Sequence, residues 1–301
     1  MKLEVGEIIP GGYRLTERLG SLGWYISTWR ARHPCGEEVV VKFYSTVVCD
    51  DYPEIHDLRE KIHPLLPGLD RLVAARPTAG LAPWLSYSYD PDGHSLFLIR
   101  RYYATRLDQR FSPEGRSKGE STPSSELVAA FRQLAAALDD LCRFRGEDPA
   151  VAVHEDNLFT EGSLAMLADY GCSDLQRVVE NGYGGPRPVD ERQLKRAGEY
   201  FFLERTGGDA QEKAQSALAA AYFRVRSGRR VFGDSSDSGK TDVCRTIGEA
   251  IDRVLAYMST KRLELSLLRH RGERAAVARA LAIDPRERFR SCVEFADCLP
   301  S

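Results

Sequence analysis

The chain has 301 residues, of which 43% are hydrophobic and 29% charged, with a formal net charge of −2 and an isoelectric point near 6.3. That length buries a substantial core and fits one large two-lobed domain or two smaller ones, while the near-neutral balance supplies no basic field for sequence-independent nucleic-acid binding. No apolar run is long enough to span a bilayer, the N-terminal MKLEVGEIIPGG lacks a signal-peptide core, and the seven cysteines form no CxxC pair. Reduced thiols in a cytoplasmic protein without nucleic-acid or membrane partners are therefore expected.

The first 105 residues read as mostly strand. GYRLTERLG and WYISTWRARH are rich in β-branched and aromatic residues, and HPCGEE supplies turn chemistry before VVVKFY. WLSYSYD and HSLFLIRRYY flank PDG as a second hairpin. Between these pairs, YPEIHDLREKIHPLL spaces Ile55, Leu58, Ile62 and Leu65 as one face of a helix. After residue 105 the period changes. FSPEGRSKGESTPSS (111–125) is a polar loop, and SELVAAFRQLAAALDDLCRF then aligns Leu127, Phe131, Leu134, Leu138 and Leu141 on one helical face. Helices dominate beyond residue 190, among them VCRTIGEAIDRVLAYM (243–258). A β-rich part over 1–105 followed by a helical part over 106–301 is an α+β pattern.

Strands with one inserted helix, then a helical part, resemble the bilobal protein kinase fold, and the motifs bear on it one by one. VVVKFY is similar to the strand carrying the lysine that binds the α- and β-phosphates, here Lys42. Its helix glutamate would be Glu60, eighteen residues on, with Glu54 as the alternative. LGSLGWYISTWRA resembles the glycine-rich phosphate loop through Gly20 and Gly23, but Trp24 or Tyr25 fills the third glycine position. SLAMLADYGCS resembles the strand and turn that present the magnesium-binding aspartate, which places Asp169 in that role and Gly171 at the turn. Arg100 and Arg101 fall where the family has its apolar gatekeeper and the next hinge residue, so a guanidinium facing the adenine pocket would obstruct it. ALAIDPRERFRSCVEFADCL resembles the last helices, with Arg288 at an arginine whose usual glutamate partner is missing.

VAVHEDNLF (151–159) is the stretch on which activity turns. The family's loop carries a base aspartate and, five residues later, an asparagine that binds Mg²⁺. If Asp156 is the base, the metal ligand Asn157 follows at once, and Asp156 lies only thirteen residues before Asp169. If Asn157 is the anchor, the twelve-residue step to Asp169 matches the family, NLFTEGSLAMLAD reads as strand, turn, strand, and the base position is Ala152. The second alignment is favoured. It implies a pseudokinase that signals through a protein partner, retains Lys42, Asn157 and Asp169, and binds ATP and Mg²⁺ weakly if at all. The alternatives are an active Ser/Thr kinase using Asp156 from a rearranged loop and a scaffold that ignores nucleotide. GDSSDSGKT (233–241) has five residues between its glycines where a phosphate-binding P-loop has four, so it reads as a surface loop, and RVRSGRR (224–230) as a solvated helix end.

Overall fold

The structure is a computed structural model that describes residues 3–22, 26–45, 58–75, 78–90, 95–111, 125–145, 152–172, 175, 178, 208–229, 231 and 263–300. Outside them lie Gly23, Trp24, Tyr25, Glu54, the 233–241 loop and the helix expected over 243–258. The chain divides into two compact units, one holding residues 1–77, 82–103 and 171–184, the other residues 78–81, 104–170 and 185–301.

The first unit is built on a six-stranded antiparallel sheet in the order β1-β2-β3-β4-β6-β5. Its strands are β1 (Ile8–Ile9), β2 (Tyr13–Leu22), β3 (Ile26–Arg32), β4 (Glu38–Ser45), β5 (Trp84–Asp90) and β6 (Ser95–Arg101). β4 lies between β3 and β6, with Lys42 opposite Thr28 on one side and Leu98 on the other. Side chains alternate faces along a strand. Trp29, Ala31, Val39, Val41, Phe43, Phe97 and Ile99 therefore share one face and join Leu3, Ile9 and Leu15 in a buried cluster. Lys42 is on the opposite face, so the same alternation that builds this core keeps the ammonium out of it.

The inserted helix is longer than the spacing suggests. Helix α1 (Leu58–Ile62) runs through a 3₁₀ turn at His63–Leu65 into α2 (Leu66–Ala74), burying Ile62, Leu69 and Leu72. Pro64 occupies the first turn of the 3₁₀ segment, where its missing N–H costs no helical bond, so the chain stays helical past it.

The second unit begins with a small sheet, β7 (Thr105–Arg106), β8 (Leu158–Glu161) and β9 (Leu164–Leu167), in that order. Its helices among the described residues include α3 (Leu107–Arg110), α4 (Ser125–Asp140), α5 (Ala210–Ser227), α6 (Arg271–Ala280) and α7 (Cys292–Asp297). The predicted face of α4 is buried at Leu127, Phe131, Leu134 and Leu138, and Leu141 follows in a π turn. Phe131 meets Tyr222 of α5 edge-on at 4.9 Å, and Tyr222 meets Phe295 of α7 at 6.3 Å. Buried Asp139 caps α7, accepting the Cys292 and Val293 amides at 2.9 and 3.2 Å. The residue 80 segment packs so close to α4 that a Cβ on Gly80 would lie 2.8 Å from both Ala137 Cβ and Gln133 O. Its carbonyl accepts the Leu167 amide at 2.8 Å, which fixes β9 against α4.

The expected solvated helix end over 224–230 is corrected at Arg226. That side chain is 8% exposed, and its Nε donates at 2.9 Å to Glu273 Oε1, with Glu273 fully buried. The basic run conceals a buried ion pair because its carboxylate lies in a distant helix. Among the described residues no helix is long and apolar enough to cross a membrane.

Candidate functional site

Residues 152–171 form the centre of the candidate site. Leu158 pairs with Leu167 across β8 and β9, and the ladder continues one step as the Ala168 amide donates to the Asn157 carbonyl at 2.8 Å. This brings Asn157 and the strand end leading into Asp169 side by side. Ahead of β8, Glu155–Asn157 make a 3₁₀ turn entered from extended His154. The Asn157 amide donates to His154 O at 2.9 Å and the His154 amide to Ala152 O at 3.0 Å.

The Asn157 side chain is 8% exposed, and its Nδ2 donates to Ala152 O at 3.0 Å. The amide must point this way, because turning Oδ1 toward the carbonyl would oppose two acceptors. Oδ1 is thereby left as the acceptor end. Asp169 is half-buried and has φ 59°, the left-handed region, which no other non-glycine among the described residues adopts. Aspartate tolerates that conformation better than most residues, but it still carries strain of about 1–2 kcal/mol. Tyr170 is buried, and Gly171 turns the chain at φ 72°. An amide oxygen and a carboxylate are hard oxygen donors. Such a pair suits Mg²⁺, which takes one or two protein oxygens and completes its octahedron with water and phosphate.

Asp156 stands half-buried in the same turn. Its Oδ1 accepts from Arg106 Nη1 at 2.7 Å, and Arg106 Nη2 donates to Asp108 Oδ2 at 3.2 Å. Arg106 Nε lies 3.1 Å from Asp108 Oδ1, near enough for an ion pair but off the line a hydrogen bond needs. The guanidinium thus ties the start of α3 to the turn before Asn157. Arg106 was not singled out in the sequence, because fifty residues separate it from Asp156 and no local pattern links them.

The remaining candidates lie in the first unit. Lys42 is 9% exposed at the middle of β4, with Nζ 5.8 Å from the Tyr44 ring centre. Glu60 is exposed on α1. Gly20 is on β2 opposite Thr28, beside a bulge at Leu19, and a Cβ there would meet nothing within 4 Å. Packing therefore does not demand that glycine. Arg100 pairs with Val40, which puts it on Lys42's face of the sheet, and it is only 3% exposed. Arg101 is exposed on the other face, near the Tyr103 ring at 5.9 Å. In the second unit, buried Arg288 donates from Nε to Ala282 O at 2.8 Å, and burial pulls its guanidinium below the ordinary value.

An antiparallel sheet with one inserted helical segment, then a helical part entered through a small sheet and an Asp-Tyr-Gly turn, is the α+β fold of protein kinase domains. The likeness to solved structures bears this out. The PknI kinase domain of Mycobacterium tuberculosis is similar over 99% of this chain and 97% of that one, with a TM-score of 0.58 and 20% identity. A point mutant of that domain gives 0.58 at 19% identity, and a further structure of it 0.57 at 19%, each covering 99% of this chain and 98% of the other. No protein-family model matches the sequence, and no curated protein matches it either.

Proposed function

We propose that this chain is a pseudokinase, a kinase-like domain that acts by binding a protein partner in signalling and binds Mg-ATP weakly. The observation that carries the reading is the hydrogen bond from Asn157 Nδ2 to the Ala152 carbonyl. It ties the expected metal ligand to the residue five positions back, where the kinase pattern has its base and this chain has a methyl group. A methyl group accepts no proton. The rival base, Asp156, has its Oδ1 engaged by Arg106 at 2.7 Å.

Under this reading Asn157 Oδ1 and the Asp169 carboxylate would hold Mg²⁺. The bound ion would neutralise phosphate charge. Asp169 is held for this by the left-handed turn, and Asn157 by its bond to Ala152. Without a base to orient a hydroxyl, phosphoryl transfer is absent or very slow. The test is incubation with radiolabelled ATP and Mg²⁺. No incorporation is expected, and strong autophosphorylation abolished by Asp156→Ala would overturn the reading in favour of an active Ser/Thr kinase.

Buried Arg100, on the same sheet face as Lys42, favours a second reading, a scaffold indifferent to nucleotide. Thermal unfolding separates the two: saturating Mg-ATP raises the midpoint of a nucleotide binder and leaves that of a scaffold unchanged.

A further inference from the structure

We propose that Cys35 and His33, in the turn joining β3 to β4, form a thiol–imidazole pair that makes Cys35 a peroxide-sensitive site. Cys35 Sγ lies 2.8 Å from His33 Nδ1, and the Cys35 amide reaches the same nitrogen at 3.3 Å. Two donors converging on Nδ1 define it as the acceptor, with the ring proton on Nε2. The S–H therefore points at a base in the resting state. The turn is fixed at both ends, by His33 N to Glu37 O at 2.9 Å and Gly36 N to His33 O at 2.8 Å. The Tyr13 ring packs against the imidazole at 5.0 Å between centroids, which restrains its rotation. Cys35 itself is exposed, so a small oxidant reaches it without any opening of the fold.

The chemistry is general-base-assisted attack on a peroxide. Sulfur attacks one peroxide oxygen as the thiol proton moves to Nδ1, and the O–O bond breaks with its electron pair leaving as hydroxide. The imidazolium returns its proton to the hydroxide, giving water. The thiol is oxidised by two electrons to a sulfenic acid and the peroxide is reduced. A second small-molecule thiol then condenses with the sulfenic acid to a mixed disulfide, releasing another water. The other exposed described thiol, Cys298, has no imidazole of a described residue at hydrogen-bond distance and serves as an internal reference.

The experiment treats the full chain with hydrogen peroxide and a dimedone trap, then quantifies the adduct at each cysteine by peptide mass spectrometry. Cys35 is expected to be labelled on the order of tenfold faster than Cys298, below the ~10²–10⁴ of an enclosed general base because water reaches the pair. In His33→Phe, which keeps a ring against Tyr13 but no nitrogen, Cys35 should fall to the Cys298 rate. Equal labelling of the two cysteines in the unmodified protein would overturn the proposal whatever the variant does. So would labelling of Cys35 unchanged in a His33→Phe protein whose thermal midpoint is intact.

Discussion

Replacing Asn157 tests the hydrogen bond on which the functional reading rests. The Nδ2–O distance of 3.0 Å is that of an ordinary neutral bond, worth about 0.5–1.5 kcal/mol net. Asn157→Ala removes it, but the Ala152 carbonyl keeps the His154 amide at 3.0 Å and is not orphaned. The loss should therefore stay near 1 kcal/mol and below the about 1–3 kcal/mol of an abandoned buried acceptor. Asn157→Asp behaves differently. An ionised carboxylate sets two acceptors against each other in a site only 8% exposed, so it should cost more than the alanine. The sign with pH follows from the same geometry. Burial and the facing carbonyl raise the folded-state pKa of the new carboxyl above its unfolded value. Once protonated it can donate to Ala152 O, so the Asn157→Asp variant regains stability as pH falls through that raised pKa and is weakest above it. Urea unfolding at neutral and acidic pH, without nucleotide, reads both effects. An Asn157→Ala protein as stable as the parent, or an Asn157→Asp protein without this pH trend, would refute the bond and remove the support for placing Ala152 at the base position.

Three further outcomes are expected. Glu273→Ala removes the buried carboxylate that accepts from the Arg226 guanidinium and, at 2.7 Å, from the Tyr222 hydroxyl, so chemical denaturation should show a loss of about 3–5 kcal/mol. Gly80→Ala combines a φ of 91° with a Cβ 2.8 Å from Gln133 O, so the same assay should show a loss of about 2–4 kcal/mol. Arg286 holds the Asp284 carboxyl down from 3.8 to about 2. Its small contribution to stability is present above pH ~4 and lost as pH falls through the depressed value, which a carboxyl NMR titration of the folded protein and of Arg286→Ala would read directly.

The antiparallel strands of the first unit and the face of α4 were legible because alternation and 3.6-residue spacing are local patterns. Lys42 on a central strand and NLFTEGSLAMLAD as strand, turn, strand follow from the same periodicities. The helical segment runs on past the apolar spacing of YPEIHDLREKIHPLL to Ala74, through a 3₁₀ turn that holds Pro64. Arg226 was misread because its partner, Glu273, is forty-seven residues away, and an ion pair across helices leaves no mark in either local sequence. Arg106 escaped notice for the same reason. The strain at Asp169 is likewise invisible in residue types, since Asp-Tyr-Gly reads equally well as a relaxed turn.

Arg106 also bears on how HED reads as a motif. A carboxylate beside a histidine looks like acid–base chemistry, yet what the turn needs first is a restraint, since a 3₁₀ segment of three residues is held by few bonds of its own. Asp156 supplies one by gripping the arginine of β7, the strand that pairs with β8 immediately after the turn. The tie therefore spans the turn from the outside, while the Asn157–Ala152 bond closes it from within. A carboxylate that anchors a backbone in this way must stay paired, whereas a base must release its partner to meet a substrate hydroxyl. The two duties conflict at one side chain. On the proposed pseudokinase reading Asp156 serves the first, and the position from which the second would be performed is Ala152.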